Sequence, residues 1–229
     1  GPTKRITYHS TADNVWDWSG DYLYFTTRRA FRQIEWNAEI YRVAASGGTP
    51  ERVLTDFGDM PAASGQMIAI GRGSCRTSRE DYDGPADLDI WVYHGKNKQY
   101  KAITDNSIND FQPRWAADNQ LFYISATSGR YNISRQTVKG DGSADGQARQ
   151  ITSFKDDGIQ FFDVSKDGSK IVYTRQNGLY LLDVNTGKSE TLSPTFSDYR
   201  FDPLESRRFT NGVENYALSP DGKKIANVI

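Results

Sequence analysis

The chain has 229 residues, with 28 basic and 29 acidic side chains and a net charge of -1. That balance excludes a nucleic-acid binder working by phosphate neutralisation, and no apolar run approaches the ~20 residues that span a membrane. One cysteine, Cys75, excludes an internal disulfide, while aromatic residues at 13% suit sheets packed face to face on large flat side chains.

In chain order, Arg5-Ile6-Thr7 reads as a lone outer strand. A repeat follows over 10–55, with a turn at Trp18-Ser19-Gly20-Asp21 and strands Tyr22-Leu23-Tyr24-Phe25 and Glu39-Ile40-Tyr41-Arg42-Val43. The next repeat, 56–104, holds an inner segment from Met60 to Ser64 and the strand Gln66-Met67-Ile68-Ala69-Ile70. It continues through Asp89-Ile90-Trp91-Val92-Tyr93 and Gln99-Tyr100-Lys101-Ala102-Ile103. A third, 105–152, and a fourth, 153–193, carry the corresponding third strands Asn132-Ile133-Ser134-Arg135 and Leu179-Tyr180-Leu181-Leu182-Asp183. β-branched and aromatic residues dominate these runs, as a packed pleated surface favours. Residues 194–212 show no strand pattern and read as an irregular crossover. Residues 213–229 begin a further blade or second propeller and end inside the apolar run Ile225-Ala226-Asn227-Val228-Ile229, so either they share a closing blade with Arg5–Thr7 or, the favoured reading, the chain is a piece of a longer protein.

The repeat has a marker. Five apolar stretches close on a small hydroxyl residue: Ile6-Thr7, Leu54-Thr55, Ile103-Thr104, Ile151-Thr152 and Leu192-Ser193, spaced 48, 49, 48 and 41 residues apart. Short strands repeating at this period predict an all-β fold, a β-propeller of four-stranded blades. The reading is a partial six-bladed propeller, with four complete blades over 1–193 and partial strands at both ends. Antiparallel meandering then places both long second-to-third-strand connections, residues 28–37 and 72–87, on one face. Loops grafted on a rigid scaffold are where function concentrates.

Three candidate chemistries fail on spacing. His9 and His94 fall on connections expected on opposite faces, and no Gly-x-Ser-x-Gly elbow is present, so no nucleophile–base pair assembles. Cys75 has neighbouring arginines but no sequence-local base. Asp141-Gly142-Ser143-Ala144-Asp145-Gly146 begins like a calcium loop, but Thr152 stands where the bidentate acid belongs, so a solvated hairpin loop is expected. No His, Cys and carboxylate spacing fits zinc, and no cofactor or metal is expected. The mixed-charge run Arg72 to Gly84 is a surface for a neighbouring module or a solvated loop. Trp16, Trp18, Trp91 and Trp115 read as wedges between blades.

Several segments carry a family resemblance. Lys4-Arg5-Ile6-Thr7-Tyr8-His9-Ser10, Tyr24-Phe25-Thr26-Thr27-Arg28-Arg29, Asp87-Leu88-Asp89-Ile90-Trp91-Val92-Tyr93 and Ile103-Thr104-Asp105-Asn106 resemble the N-terminal propeller of tricorn-type serine peptidases. Residues 212–226, Gly-Val-Glu-Asn-Tyr-Ala-Leu-Ser-Pro-Asp-Gly-Lys-Lys-Ile-Ala, are similar to the start of that family's second propeller. The resemblance implies a non-catalytic segment that gates or guides peptides and scaffolds downstream peptidase and PDZ modules of the same polypeptide. A second copy of the chain stays open as a partner. In the family, paired basic residues anchor the substrate's carboxy terminus, and Arg28 and Arg29 match them. A guanidinium pair suits that task because it binds a carboxylate by charge-assisted, bidentate hydrogen bonds. The alternative is a TolB-type interaction propeller without peptidase activity. A lactonase-like propeller would need a cluster of central carboxylates that the sequence does not supply. Cytoplasm and periplasm both fit the composition, and a bacterial relative would favour the periplasm.

Overall fold

The computed structural model describes residues 4–195, 215–221 and 223–228. These fall in two compact units, Gly1–Ser193 and Pro194–Ile229. The first unit is all β. Its four antiparallel sheets are β1 Asp13–Ser19 to β4 Glu51–Phe57, β5 Asp59–Ser64 to β8 Gln99–Ala102, β9 Asp110–Ala116 to β12 Ala144–Gln150, and β13 Ile159–Val164 to β16 Ser189–Leu192. Between these lie β2 Tyr22–Thr27, β3 Glu39–Ala44, β6 Met67–Arg72, β7 Asp89–His94, β10 Gln120–Ser125, β11 Asn132–Val138, β14 Lys170–Arg175 and β15 Gly178–Asp183. Every sheet is a simple meander in sequence order, and the first strands of successive sheets touch, β1 to β5, β5 to β9 and β9 to β13. Blades set side by side around their first strands make a propeller. The second unit contains the hairpin β17 Asn215–Leu218 with β18 Ile225–Val228. From residue 196 onward the expected crossover lies outside the described residues.

Blade faces follow the two-residue strand period. On β10, Leu121 and Tyr123 pack with Met67, Ala69, Ile90 and Val92 of the second blade. Phe122 and Ile124, on its other face, pack with Ile159, Phe162, Ile171 and Tyr173 of the fourth. On β6 the same alternation sends Ile68 and Ile70 toward Tyr24, Ile40 and Leu54 of the first blade. The core is thus a set of interblade seams. Each fully buried Ile, Leu or Phe contributes about 1.5–3 kcal/mol.

The hydroxyl marker of the repeat has a structural use in two blades. Thr104 Oγ1 accepts the Ile90 N–H at 2.8 Å and donates to Asp89 at 3.0 Å. Thr152 Oγ1 accepts the Ile133 N–H at 2.9 Å and donates to Asn132 at 2.9 Å. Each ties the end of a fourth strand to the start of the third, satisfying a buried backbone donor that the ladder leaves open. The first blade does not repeat the device, since Thr55 is exposed within β4.

Two expectations change. Arg5-Ile6-Thr7 forms no strand. Residues 4–10 run beside the first blade without joining its ladder, and Lys4 Nζ bonds the Ser46 carbonyl at 2.7 Å. Trp18 is no wedge either. It is 68% exposed near the end of β1, and its indole N–H donates to the Gly20 carbonyl in the turn that follows. Trp91 and Trp115 do pack against seams, and Trp115 also bonds the Ala62 carbonyl of the second blade.

Asp110, at the start of β9, is 1% exposed and holds a carboxyl oxygen without a partner among the described residues. Burial raises its pKa to about 6, opposed by the nearby hydroxyls of Ser125 and Thr104 and by Asn106, which donates to its other oxygen at 2.6 Å, and reinforced by the Asp89 charge. A raised folded-state pKa gives stability that is complete below the unfolded value near 3.8 and lost as pH rises through about 6. The loss is about 3 kcal/mol. Asp110→Asn should therefore gain stability relative to the natural chain as pH is raised from roughly 4 to 7, read from urea midpoints. A stability gap that stays constant across that range would contradict this role.

Candidate functional site

The two long connections do share a face. Residues 28–38 and 73–88 both border a trough of about 780 Å³ whose lining includes Arg28, Trp36, Gly73, Cys75, Arg76 and Leu88. A second hollow of about 660 Å³ lies on the other side of Arg28 and Trp36, toward Asn14, Trp16 and Thr26. Arg28 and Trp36 border both spaces.

The first connection is short of regular structure but firmly held. Glu39, 1% exposed at the head of β3, accepts the Ala30 and Phe31 N–H groups at 3.2 and 2.7 Å. Phe31 meets Phe57 edge-on at 5.9 Å between centroids, with Arg52 over its ring at 5.0 Å. A single helical turn then brings the Ile34 and Glu35 N–H groups to the Phe31 carbonyl. The Glu35 carboxylate accepts the next two backbone donors, Trp36 at 2.8 Å and Asn37 at 2.9 Å.

The adjacent arginines are separated by this geometry. Arg29 turns inward, giving both Asp13 oxygens a hydrogen bond at 2.8 Å and lying over Phe25 and Tyr41. The pair is only 13% and 11% exposed. Burial would raise the Asp13 pKa, but the bonds from Arg29, Thr7 and Thr27 hold it below the ordinary value. Arg28 turns outward. It is exposed, makes no ion pair among the described residues, and its guanidinium lies 6.0 Å from the centre of the Trp36 ring. Asp59, which borders the trough, keeps contact with solvent, yet the surrounding walls desolvate its carboxyl enough to raise its pKa. Bonds from Met60 and Thr26 and the charge of Arg28 act against that rise.

The second connection straps three blades together. Asn109, 0% exposed, accepts the Leu88 N–H at 3.0 Å. Its amide nitrogen approaches the Arg79 carbonyl at 2.8 Å, the Tyr131 hydroxyl at 3.2 Å and Cys75 Sγ at 3.5 Å. Glu80 accepts the Tyr131 N–H of the third blade and lies against Gly158 of the fourth, where a Cβ would fall 2.1 Å from its oxygen. Arg130 adds ion pairs to Asp81 at 2.9 Å and Glu80 at 3.6 Å. At the loop's entrance Gly73 has φ +140°, and a Cβ there would lie 1.8 Å from the Asp87 carbonyl oxygen, so only glycine fits. Of the charged run Arg72 to Gly84, Glu80 is thus used between blades, while Arg76, Arg79, Asp81 and Asp83 stay exposed. Cys75 is half-buried at the edge of the trough.

Other candidates resolve locally. His9 Nδ1 contacts Thr11 and His94 Nδ1 accepts the Asn97 N–H, each within its own turn. Asp141 accepts the Ser143 N–H and hydroxyl in the turn ahead of β12. Among the described residues no group of three or more His, Cys, Asp or Glu side chains is placed to hold a metal ion. Sequence reasoning missed Trp36 and Ile34, which are 84% and 81% exposed. Their signal was two large apolar residues inside an otherwise polar connection.

A family model described as the tricorn protease N-terminal β-propeller domain matches residues 1–188. No curated protein matches the chain. Among solved structures it is similar to the tricorn protease, with a TM-score of 0.67 and 22% identity over 98% of this chain and 22% of that one. It is also similar to TolB from Acinetobacter baumannii, with a TM-score of 0.57 and 21% identity over 90% of this chain and 45% of that one. A putative TolB from Agrobacterium tumefaciens gives 0.57 and 19% over 75% and 61%. Likeness at these identities shows the fold. The chain spans about a fifth of the tricorn protease chain it matches.

Proposed function

The chain belongs to the tricorn N-terminal β-propeller family, and from that premise we propose that it is a non-catalytic propeller segment that guides peptides for peptidase modules carried elsewhere. The observation that carries this reading is Arg28. A guanidinium without an ion pair among the described residues, on an anchored loop that borders two hollows and with its charge felt by Asp59, is suited to a free peptide carboxylate. Arg29, the other member of the expected pair, supports the anchor from beneath by fixing the loop to Asp13. The Glu39 bonds and the Phe31–Phe57 contact give the anchor's loop a firm base, which preserves affinity by limiting what must be ordered on binding.

The experiment is direct. The purified chain, incubated with short unblocked peptides, should bind them and leave every peptide bond intact by mass spectrometry. Hydrolysis removed by no contaminant control would overturn the non-catalytic reading, and absence of any binding would overturn the guiding role.

A further inference from the structure

Trp36 and Ile34 stand in water on a loop that holds them there. Large apolar side chains left 84% and 81% exposed on a mobile tip would carry little meaning. Here the backbone at Trp36 is fixed by the Glu35 carboxylate, and the base of the turn is fixed by Glu39 and by Phe31 against Phe57. Trp36 also borders the same two hollows as Arg28 and faces its guanidinium. A flat aromatic surface on a fixed backbone, beside a guanidinium without an ion pair among the described residues, is the pairing from which binding hot spots are built.

We infer that Trp36 is a specificity-determining residue, receiving the carboxy-terminal side chain of a bound peptide while Arg28 holds its carboxylate, so that aromatic and large aliphatic termini are favoured. This inference rests on the anchor reading of Arg28. The stereochemistry is consistent, because the side chain and carboxylate of a terminal residue branch from one carbon and need neighbouring apolar and cationic partners. Burial of a Phe or Leu side chain on an open surface, rather than in a closed pocket, corresponds to about a 10-fold preference over Gly.

Isothermal titration of the full chain with alanine-based peptides ending in Phe, Leu or Gly, each as free acid and as amide, separates the two ideas. The natural chain should bind Phe- and Leu-ended acids about 10-fold tighter than the Gly-ended acid. Trp36→Ala should abolish that preference, keep the acid-over-amide difference and retain the natural melting temperature, while Trp36→Phe should keep the preference. Equal affinity for the three acids, all weakened by amidation, would overturn the Trp36 role and leave the Arg28 anchor standing. Persistence of the Phe preference in Trp36→Ala would also overturn it. A side-chain preference lost in Trp36→Ala but unaffected by amidation would support Trp36 and sink the anchor. Absence of binding by every peptide would sink both.

Discussion

Asn109→Ala is expected to lower the melting temperature of the propeller by about 6–12 °C. The side chain is fully buried, and its removal strands the Leu88 N–H and the Tyr131 hydroxyl and leaves the Arg79 carbonyl with only the Tyr82 N–H. Buried polar groups left without partners cost about 1–3 kcal/mol each, and water entering the small void recovers part of that, leaving about 3 kcal/mol. The damage should concentrate in the strap, so residues 73–88 should become the first site of limited proteolysis. Arg130→Ala provides the contrast. Its ion pairs are partly solvated and should be worth less than about 1 kcal/mol. A shift for Asn109→Ala no larger than that of Arg130→Ala, with no new cleavage, would show that the second connection does not depend on this residue.

Neighbouring arginines should give opposite results. Arg28→Ala is expected to weaken binding of free-carboxylate peptides about 10–100-fold and to leave the melting temperature unchanged, because Arg28 has no ion pair to lose. Arg29→Ala is expected to destabilise the blade by about 2–3 kcal/mol, since it leaves Asp13 mostly buried without its bidentate partner. Its effect on peptides should follow from loosening of the loop. Titration calorimetry and thermal unfolding of the two variants test both statements. Equal loss of affinity with no loss of stability in Arg29→Ala would mean that both guanidiniums meet the ligand.

Much of the fold was legible in the sequence because propeller blades repeat a local pattern. Ile103-Thr104 and Ile151-Thr152 recur in phase since each hydroxyl closes the same backbone gap at the start of a third strand. Strand order alone then put residues 28–37 and 72–87 on one face. What the sequence hid was partner choice over distance. Arg28 and Arg29 are indistinguishable as letters, and only Asp13, sixteen residues earlier in the chain, turns one inward. The mixed-charge run beginning at Arg72 reads as a solvated loop or a surface for a neighbouring module, and most of its charges are exposed. The partners of its Glu80, Tyr131 and Gly158, belong to later blades. Trp18 and Trp36 show the same limit for burial, because an aromatic letter does not say whether a seam reaches it.

The central claim is that this propeller holds peptides by their free carboxy terminus at Arg28 without cutting them. One titration of the natural chain, with a single unblocked peptide and its C-terminal amide at matched ionic strength, tests it most directly. The acid should bind about 10–100-fold tighter than the amide, and both should be recovered intact. Equal affinity for acid and amide would contradict it.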